Sequence, residues 1–306
     1  MTKKKRKSGS TLSFGAGFVQ NRNAARVIGR IDELADAGEP DCWLMKWTME
    51  NKWGHFDLEW SATRIWVFTE PEAEAFAIGP EGRVCLGSHA GPVEEVVDAS
   101  DEGPKARGPL RDLRGIDGAL FTCGMGRQVY QRVGKNRWVR ADEGVVVPVG
   151  EVTLAGFNSI DGLSENDIYA VGFEGEIWRR QRGKWRQLES PTNVILHQVR
   201  AIKKNLTYAC GQKGVLLLGD GDSWKEIHHT ATEDHLWGMQ WFNKRLYVSS
   251  DEAVYVLEDD EELRRIPMKG IETCGHLHAN DGVMWSFGTK DLAWTEDTVM
   301  WHDETP

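Results

Sequence analysis

The sequence has 306 residues, of which 40% are apolar and 27% charged, as in a globular protein with a substantial core. Its 14 tryptophans and 33 glycines indicate many short strands joined by tight turns. The formal net charge of −10 argues against nucleic acids and anionic membranes as partners and favours a basic partner.

The cysteines and apolar runs predict a cytoplasmic protein. There are five cysteines, an odd number, and no Cys-x-x-Cys pair, which argues against a disulfide framework. No apolar run approaches the roughly 18 residues that span a bilayer. The segment Thr11–Val19 follows a basic start, as in a signal peptide, but it contains several Gly and Ser residues and polar residues follow it. We therefore expect neither a signal peptide nor a membrane segment.

The first ten residues differ in composition from the rest of the chain. They contain five basic residues and no acidic one, so the remaining sequence is more acidic than the net charge alone suggests. We predict that residues 1–10 form a flexible basic tail and that residues 11–306 form one domain.

Six segments repeat an aromatic-x-x-small pattern followed by a turn. They begin at Phe76, Phe121, Tyr169, Tyr208, Tyr247 and Trp285. The starts lie about 40 residues apart, which is the spacing of β-propeller blades. The unit from residue 157 to residue 188 shows four strands most clearly, at Phe157–Ile160, Ile168–Val171, Ile177–Arg180 and Trp185–Leu188.

Two positions within the repeat carry structural predictions. A glycine closes the pattern in five segments, and we attribute it to a tight turn with positive φ. Ser250 replaces this glycine in the segment that begins at Tyr247, so a different turn is expected there. Cys123 and Cys210 occupy a core position of the repeat, which predicts buried side chains without a catalytic role.

The first sixty residues fit the repeat less well. Trp47–Trp60 has the pattern of the hairpin between the third and fourth strands, and Leu12–Val19 weakly resembles Trp285–Leu292. Together they predict a further blade interrupted by residues 21–38, where the apolar spacing of Arg26–Ala37 predicts a short amphipathic helix. We therefore predict an all-β propeller of seven blades, each of four antiparallel strands, with six blades as the alternative.

The repeated segments resemble those of bacterial β-propeller proteins with WD40-like or BNR-like repeats, over about residues 63–301. This resemblance implies the fold but leaves the function open, because propellers support unrelated functions. The segment Gly219–Trp224 is similar to a degenerate Asp-box, a hairpin turn of sialidase-like propellers, and we interpret it as a turn without calcium.

Histidines provide the candidate metal ligands. His276 and His278 would share one face of a strand, but no third ligand is visible, so packing in an inner strand is the favoured interpretation. His228, His229 and His235 lie in a polar segment that we interpret as a surface loop. No metal and no cofactor is predicted.

No catalytic motif is present. The sequence contains no Gly-x-Ser-x-Gly, His-Glu-x-x-His or phosphate-binding loop, and no recurring sialidase-like arginine triad. We predict no catalytic residue. A propeller enzyme of the glycosidase or lyase type is an alternative, and it would need convergent carboxylates or histidines in a central pocket.

Strand direction predicts which face binds a partner. Strands alternate in direction, so loops after the second strand of each blade share a face with the connections between blades. The longest connections include residues 100–109 and 145–156, and such elaboration of one face is how repeat proteins build a binding surface. This face would also carry Lys213 and Asp291, whereas the acidic turn Asp259–Glu262 falls on the opposite face. The predicted partner-binding residues are Asp101, Glu102, Glu174, Glu233, Asp234, Asp251 and Glu252.

These observations predict a non-enzymatic, protein-binding propeller. Its acidity suits a basic partner, because opposite charge speeds encounter. Similarity in size and acidity to propeller-like immunity proteins of antibacterial toxin systems implies a bacterial immunity protein that neutralises a basic toxin such as a nuclease. A scaffold or assembly factor is the alternative among binding proteins.

Overall fold

The computed structural model describes residues 11–88, 91–151 and 154–306, in which short antiparallel strands predominate. The strands form seven four-stranded sheets, each built from four consecutive strands. The first strands of neighbouring sheets contact one another around a central axis. The protein is therefore a seven-bladed β-propeller, as predicted, and the six-blade alternative is wrong. The predicted tail, residues 1–10, lies outside the described residues.

The first four blades contain sixteen strands. Blade 1 consists of β1 (Leu12–Asn21), β2 (Ala24–Ile31), β3 (Cys42–Thr48) and β4 (Lys52–Leu58). Blade 2 consists of β5 (Arg64–Phe68), β6 (Glu74–Ile78), β7 (Arg83–Ser88) and β8 (Gly91–Val96). Blade 3 consists of β9 (Leu110–Ile116), β10 (Ala119–Gly124), β11 (Val129–Gly134) and β12 (Arg137–Arg140). Blade 4 consists of β13 (Phe157–Ser164), β14 (Asp167–Gly172), β15 (Ile177–Gln181) and β16 (Lys184–Leu188).

The remaining strands form three blades. Blade 5 consists of β17 (Leu196–Lys203), β18 (Leu206–Gly211), β19 (Leu216–Asp220) and β20 (Ser223–Glu226). Blade 6 consists of β21 (Gly238–Phe242), β22 (Arg245–Ser249), β23 (Val254–Leu257) and β24 (Leu263–Arg265). Blade 7 consists of β25 (Gly275–Asn280), β26 (Val283–Gly288), β27 (Leu292–Thr295) and β28 (His302–Asp303). Two short α-helices lie in loops of the described residues, α1 (Asp32–Asp36) and α2 (Pro104–Arg107), and no helix there is long and apolar enough to cross a membrane.

The hydrophobic core is divided among the blade interfaces. Seven clusters of buried apolar side chains each lie between two neighbouring blades. Between blades 3 and 4, for example, Ile116, Phe121 and Val129 pack against Phe157 and Ile160. Because both faces of the second strand of each blade are covered by neighbouring blades, the second strands are apolar almost throughout and do not alternate with polar residues.

Double-sided burial explains why the predicted helix at Arg26–Ala37 is wrong. The first half of this segment is the second strand of blade 1, β2, and only Asp32–Asp36 is helical. Val27 and Ile28 are adjacent, yet both are buried, because opposite faces of β2 pack against different blades. Apolar residues at adjacent positions on a buried strand imitate the spacing of an amphipathic helix.

The explanation of the repeated glycine by positive φ is also wrong. Gly172 and Gly211 have extended φ values of −168° and −166°, and positive φ occurs three residues later, at Gly175 and Gly214. A Cβ atom on Gly172 would lie 1.8 Å from the carbonyl oxygen of Gly156. Glycine is required because the end of the second strand lies against the connection that enters its own blade.

The turn at Ser250 does differ, as predicted. Ser249 pairs with Val254, whereas Val171 of blade 4 pairs with Ile177, so the turn of blade 6 is one residue shorter. The comparison of Leu12–Val19 with a second strand is wrong, since these residues belong to the innermost strand, β1. At position 17 glycine is required for a different reason, since a Cβ atom on Gly17 would lie 2.2 Å from the ring of Phe287.

The ring closes by contact between complete blades 1 and 7. The amide of Phe14 donates a hydrogen bond to the carbonyl of Thr289, at 2.9 Å. On the outer side of this seam, Glu304 accepts hydrogen bonds from the Trp47 indole at 3.0 Å and from the Lys52 ammonium at 2.9 Å. The Trp53 indole donates to the backbone carbonyl of Glu304, at 2.6 Å. A single residue after the last strand thus joins it to the third and fourth strands of blade 1.

Replacing Glu304→Gln is expected to lower the free energy of unfolding by about 1–2 kcal/mol, because the Lys52 ammonium and the Trp47 indole lose a charged acceptor. Urea denaturation at neutral pH measures the change. Exposed Glu189, for which the structure shows no salt bridge, provides the control Glu189→Gln, expected to change stability by less than about 0.5 kcal/mol. Equal stability of the two variants would show that Glu304 contributes little to closure.

Candidate protein-binding site

Loops of two kinds form one end of the propeller, which we call the upper face. It comprises the loops between second and third strands and the connections between blades. The loops between second and third strands are residues 32–41, 79–82, 125–128, 173–176, 212–215, 250–253 and 289–291. The connections between blades are residues 59–63, 97–109, 141–151, 154–156, 189–195, 227–237 and 266–274. The remaining turns form the lower face. Acidic residues far outnumber basic ones on the upper face. The lower face is also acidic, with much of its charge in the turn Asp259–Glu262.

All seven predicted partner-binding residues lie in upper-face loops, and all seven side chains are exposed. Lys213 and Asp291 lie on the same face, and Asp259–Glu262 forms the turn between β23 and β24 on the lower face. The strand directions thus place these residues as expected. Their role in binding stays a prediction.

Four of the seven residues belong to two loops that contact each other. Glu233 and Asp234 lie in the connection before blade 6, and Asp251 and Glu252 lie in the turn after β22. The two loops adjoin at the end of β22, where the amide of Trp237 donates to the carbonyl of Ser249, the residue before the turn, at 2.8 Å. No described residue forms a salt bridge with any of these four carboxylates. They remain available to a cationic partner.

The other three predicted residues are separate and differ in their pairing. Glu102 forms salt bridges with Arg107 at 2.9 Å and Arg140 at 3.5 Å, so part of its charge is balanced within the protein. Asp101 is exposed beside it. Glu174 lies at the tip of the loop in blade 4 with a φ of 53°. The sequence could not predict the pair with Arg140, because Arg140 lies 38 residues further along the chain, in the last strand of blade 3.

The sequence-based prediction missed an acidic loop in blade 1. Once β2 is known to end at Ile31, residues 32–41 become the loop after a second strand and belong to the upper face. Glu33, Asp36 and Glu39 are exposed there. The loop position within the repeat was the available signal, but the helical spacing of the preceding strand concealed it.

Other carboxylates of the upper face serve the fold. Glu176 is buried, forms a salt bridge with Arg127 at 2.7 Å and accepts a hydrogen bond from the amide of Gly156. Asp142 is buried and pairs with Arg140 at 3.1 Å. Both charges are already satisfied: Glu176 joins blade 4 to blade 3, and Asp142 is held by groups of blade 3. Only part of the acidity of this face is therefore available to a partner.

An aromatic cluster lies next to the joined loops. The indole of Trp237 is 39% exposed and stacks on the His197 imidazole, with ring centroids 4.0 Å apart and an interplanar angle of 26°. His235 contacts the edge of Trp237 at 5.9 Å. Burial, with smaller contributions from the charges of His235 and Arg111, lowers the pKa of His197 to about 4. The imidazole beneath Trp237 is therefore neutral at physiological pH.

The central channel is polar, but its charged groups are paired. On the lower face it widens into a cavity of about 440 Å³. Within it, Arg114 binds Asp161 through two hydrogen bonds of 2.9 and 3.3 Å, and Asp161 also accepts a hydrogen bond from the amide of Ala201. Asp112 accepts hydrogen bonds from the Ser159 hydroxyl and the amide of Ile160. Both carboxylates are thus occupied in joining neighbouring blades.

The two histidines of β25 act as acceptors between blades. His278 Nδ1 accepts a hydrogen bond from the amide of Val19 at 3.1 Å, and His276 Nδ1 accepts one from the amide of Gly17 at 3.4 Å. Burial, reinforced by the positive charges of Arg64 and Arg114, lowers the pKa of His276 to about 3. Burial lowers the pKa of His278 well below its usual value. These groups stabilise the seam between blades 7 and 1.

The three histidines of the connection before blade 6 make separate contacts. His229 Nε2 lies 2.8 Å from the carbonyl of Gly214, and His235 Nδ1 accepts a hydrogen bond from the amide of Lys213. His228 is exposed, 3.9 Å from Glu226. In the described ranges, no three His, Cys, Asp or Glu side chains are grouped so that they could hold a metal ion.

The predicted burial of two cysteines and the predicted turn at Gly219–Trp224 are confirmed. Cys123 and Cys210 are completely buried, and burial raises the pKa of both thiols, which makes them poor nucleophiles. Gly219–Trp224 spans the turn between β19 and β20. In this turn Asp222 forms salt bridges with Arg179 at 2.9 Å and with Arg186, both in blade 4. The aspartate thus joins two blades.

Sequence comparison identifies a relative of this protein. No protein-family model matches the chain. It is 36% identical over 285 residues to the immune protein Tsi7 of Pseudomonas aeruginosa, and the aligned region covers 90% of this chain and 92% of Tsi7. The chain belongs to the Tsi7 family. It is thus a protein-binding propeller of an immunity-protein family.

Solved structures support the fold of this Tsi7 family member at much lower identity. The WD40 propeller domain of Doa1 matches with a TM-score of 0.69 at 11% identity, covering 92% of this chain and 91% of that domain. The structure of YCF48 bound to a D1 peptide matches with a TM-score of 0.64 at 12% identity, covering 92% and 90% of the two chains. These similarities extend to architecture alone.

Proposed function

We propose that this protein is a non-enzymatic immunity protein of the bacterial cytoplasm that neutralises a basic protein toxin by binding it at the upper face. The observation that carries the proposal is the 36% identity to the immune protein Tsi7 over nearly the whole of both chains. A toxin with nuclease activity suits the proposal best, because proteins that bind nucleic acids carry a basic surface.

The upper face supports this mode of binding. Glu233, Asp234, Asp251 and Glu252 are exposed, lie in two contacting loops and form no salt bridge with any described residue. Charges without a partner in the free protein can be satisfied by cations of the bound protein. The carboxylates in the channel, in contrast, are paired with arginines, which supports a binding function over hydrolysis.

The first experiment is capture of the tagged protein from its native host at low salt, with mass spectrometry of bound proteins. We expect one basic partner in near-equal amount, whose expression alone kills cells and whose toxicity is removed by co-expression of this protein. Several stable, non-toxic partners would contradict the proposal and favour a scaffold.

Neutralising four upper-face charges is expected to weaken toxin binding by about 10- to 100-fold, through the variant Glu233→Gln/Asp234→Asn/Asp251→Asn/Glu252→Gln. The affinity for the captured partner is measured by calorimetry. Binding of the wild type should also weaken as the salt concentration rises from 50 to 300 mM (about sixfold in ionic strength), because screening reduces attraction between exposed charges.

A matched variant of the lower face controls for net charge. Asp259→Asn/Asp260→Asn/Glu261→Gln/Glu262→Gln removes the same number of charges from one turn. It should reduce affinity by less than about threefold, since only long-range attraction changes. An equal loss in the two variants would show that net charge, and not the upper face, determines binding.

A further inference from the structure

Trp237 is an unusual surface residue for this protein. Among the tryptophans of the described residues, it alone is classed with the exposed side chains, at 39% exposure. It lies on the upper face, at the end of the connection that carries Glu233 and Asp234. Exposed tryptophans at protein-binding faces frequently contribute a large share of the binding energy.

The indole is held in one orientation before any partner binds. One side of its ring stacks on His197, and the edge is contacted by His235. The backbone of Trp237 is fixed by its hydrogen bond to Ser249. Because the ring is immobilised in the free protein, binding to its exposed side costs little side-chain entropy.

Carboxylates lie on the two loops next to Trp237. Asp234 precedes Trp237 by three residues, and Asp251 and Glu252 follow Ser249, to which Trp237 is bonded. Two cations are also near: the amide of Lys213 donates to His235, and Arg265 donates to the backbone carbonyl of Glu252. Neither forms a salt bridge with the four carboxylates, so the loops that flank the exposed indole carry negative charges that are not neutralised by direct pairing.

We propose that Trp237, together with Asp234, Asp251 and Glu252, forms an arginine-binding site that receives an arginine side chain of the protein partner. A planar guanidinium stacks on an indole while its N–H groups point outward in the ring plane, where carboxylates accept them. A lysine ammonium lacks this planarity and gains less from the ring. The biological role of the site rests on the proposed function, since the toxin would supply the arginine.

The site is tested with two acetylated and amidated peptides, hexa-arginine and hexa-lysine, at about 20 mM salt, where screening is weak. The wild type should bind hexa-arginine about 3- to 10-fold more tightly than hexa-lysine. The Trp237→Ala variant should bind both peptides with nearly equal affinity, and Trp237→Phe should be intermediate. The control is Met300→Ala, which removes an exposed apolar side chain from the lower face and should retain the wild-type preference.

Spectroscopy locates the bound peptide. The indole N–H signal of Trp237, assigned by its disappearance in Trp237→Phe, should shift on addition of hexa-arginine. Equal affinity of the wild type for both peptides would overturn the proposal. So would a preference for arginine that persists in Trp237→Ala.

The site and the proposed function can fail separately. If the peptides behave as expected but no toxin is captured, the arginine site stands and the immunity proposal fails. If the protein neutralises a toxin and Trp237→Ala binds that toxin as tightly as the wild type, the immunity proposal stands and the arginine site fails.

Discussion

Replacing Gly172→Ala is expected to lower the free energy of unfolding by about 3 kcal/mol or more. The new Cβ atom would lie 1.8 Å from the carbonyl oxygen of Gly156 and 2.9 Å from its carbonyl carbon. Both are backbone atoms, so no side-chain rotation can relieve the overlap. The strand end or the connection before β13 would have to move, which would disturb the packing between blades 3 and 4.

Urea denaturation of the two proteins at neutral pH measures this loss. The control is Gly54→Ala in β4, where no atom lies within 4 Å of the new Cβ and the backbone φ is not positive. That variant should be as stable as the wild type or slightly more stable, because alanine restricts the unfolded chain more than glycine does. A Gly172→Ala variant as stable as Gly54→Ala would disprove the close-approach explanation.

Acidification from pH 7 to pH 5 is expected to destabilise the protein by about 2 kcal/mol through His276, and protonation linked to His278 adds to this loss. Their pKa values are lowered in the folded protein, so the unfolded chain takes up protons below pH 6.5 while the folded one does not. The stabilisation is therefore complete above pH 6.5 and decreases as the pH falls. His276 contributes about 2 kcal/mol at pH 5, and His278 and His197 act in the same direction.

The double variant His276→Gln/His278→Gln isolates this effect. The side-chain carbonyl oxygen of each glutamine can accept a hydrogen bond from a backbone amide of β1, but glutamine does not titrate. Urea denaturation at pH 7 and pH 5 should show a loss of stability that is smaller for the variant than for the wild type by about 2 kcal/mol or more. The single variant of exposed His228, His228→Gln, should retain the wild-type dependence. A double variant that loses as much stability as the wild type would disprove the assignment.

The propeller could be predicted from the sequence because each blade repeats the same aromatic and small residues at a nearly constant spacing. The prediction was weakest in blade 1, where contacts from other blades determine the sequence. Gly17 faces the ring of Phe287 across the seam, and Val27 and Ile28 are buried against different neighbours. Local periodicity contains no information on such contacts.

From the sequence, we could predict on which face of the propeller the candidate site lies, but not the contacts within it. Alternating strand direction is sufficient to place Glu233 and Asp251 at the same end of the propeller. It cannot show that their loops adjoin at Trp237 and Ser249, nor that Glu102 is paired with Arg140 at the far edge of blade 3. Those relations depend on distances between side chains far apart in sequence, which a single sequence does not specify.

The closure of the ring has a consequence for its connectivity. Each blade is formed by one continuous segment, and β28 ends at the upper face, where β1 begins. A short linker from residue 306 to residue 11 would thus resemble the natural connections between blades. A circular permutant opened within residues 189–195 should therefore fold into the same ring, with Glu304 still bound to Trp47 and Lys52 across the former seam. The chain could therefore begin with any of the seven blades and still form the same ring.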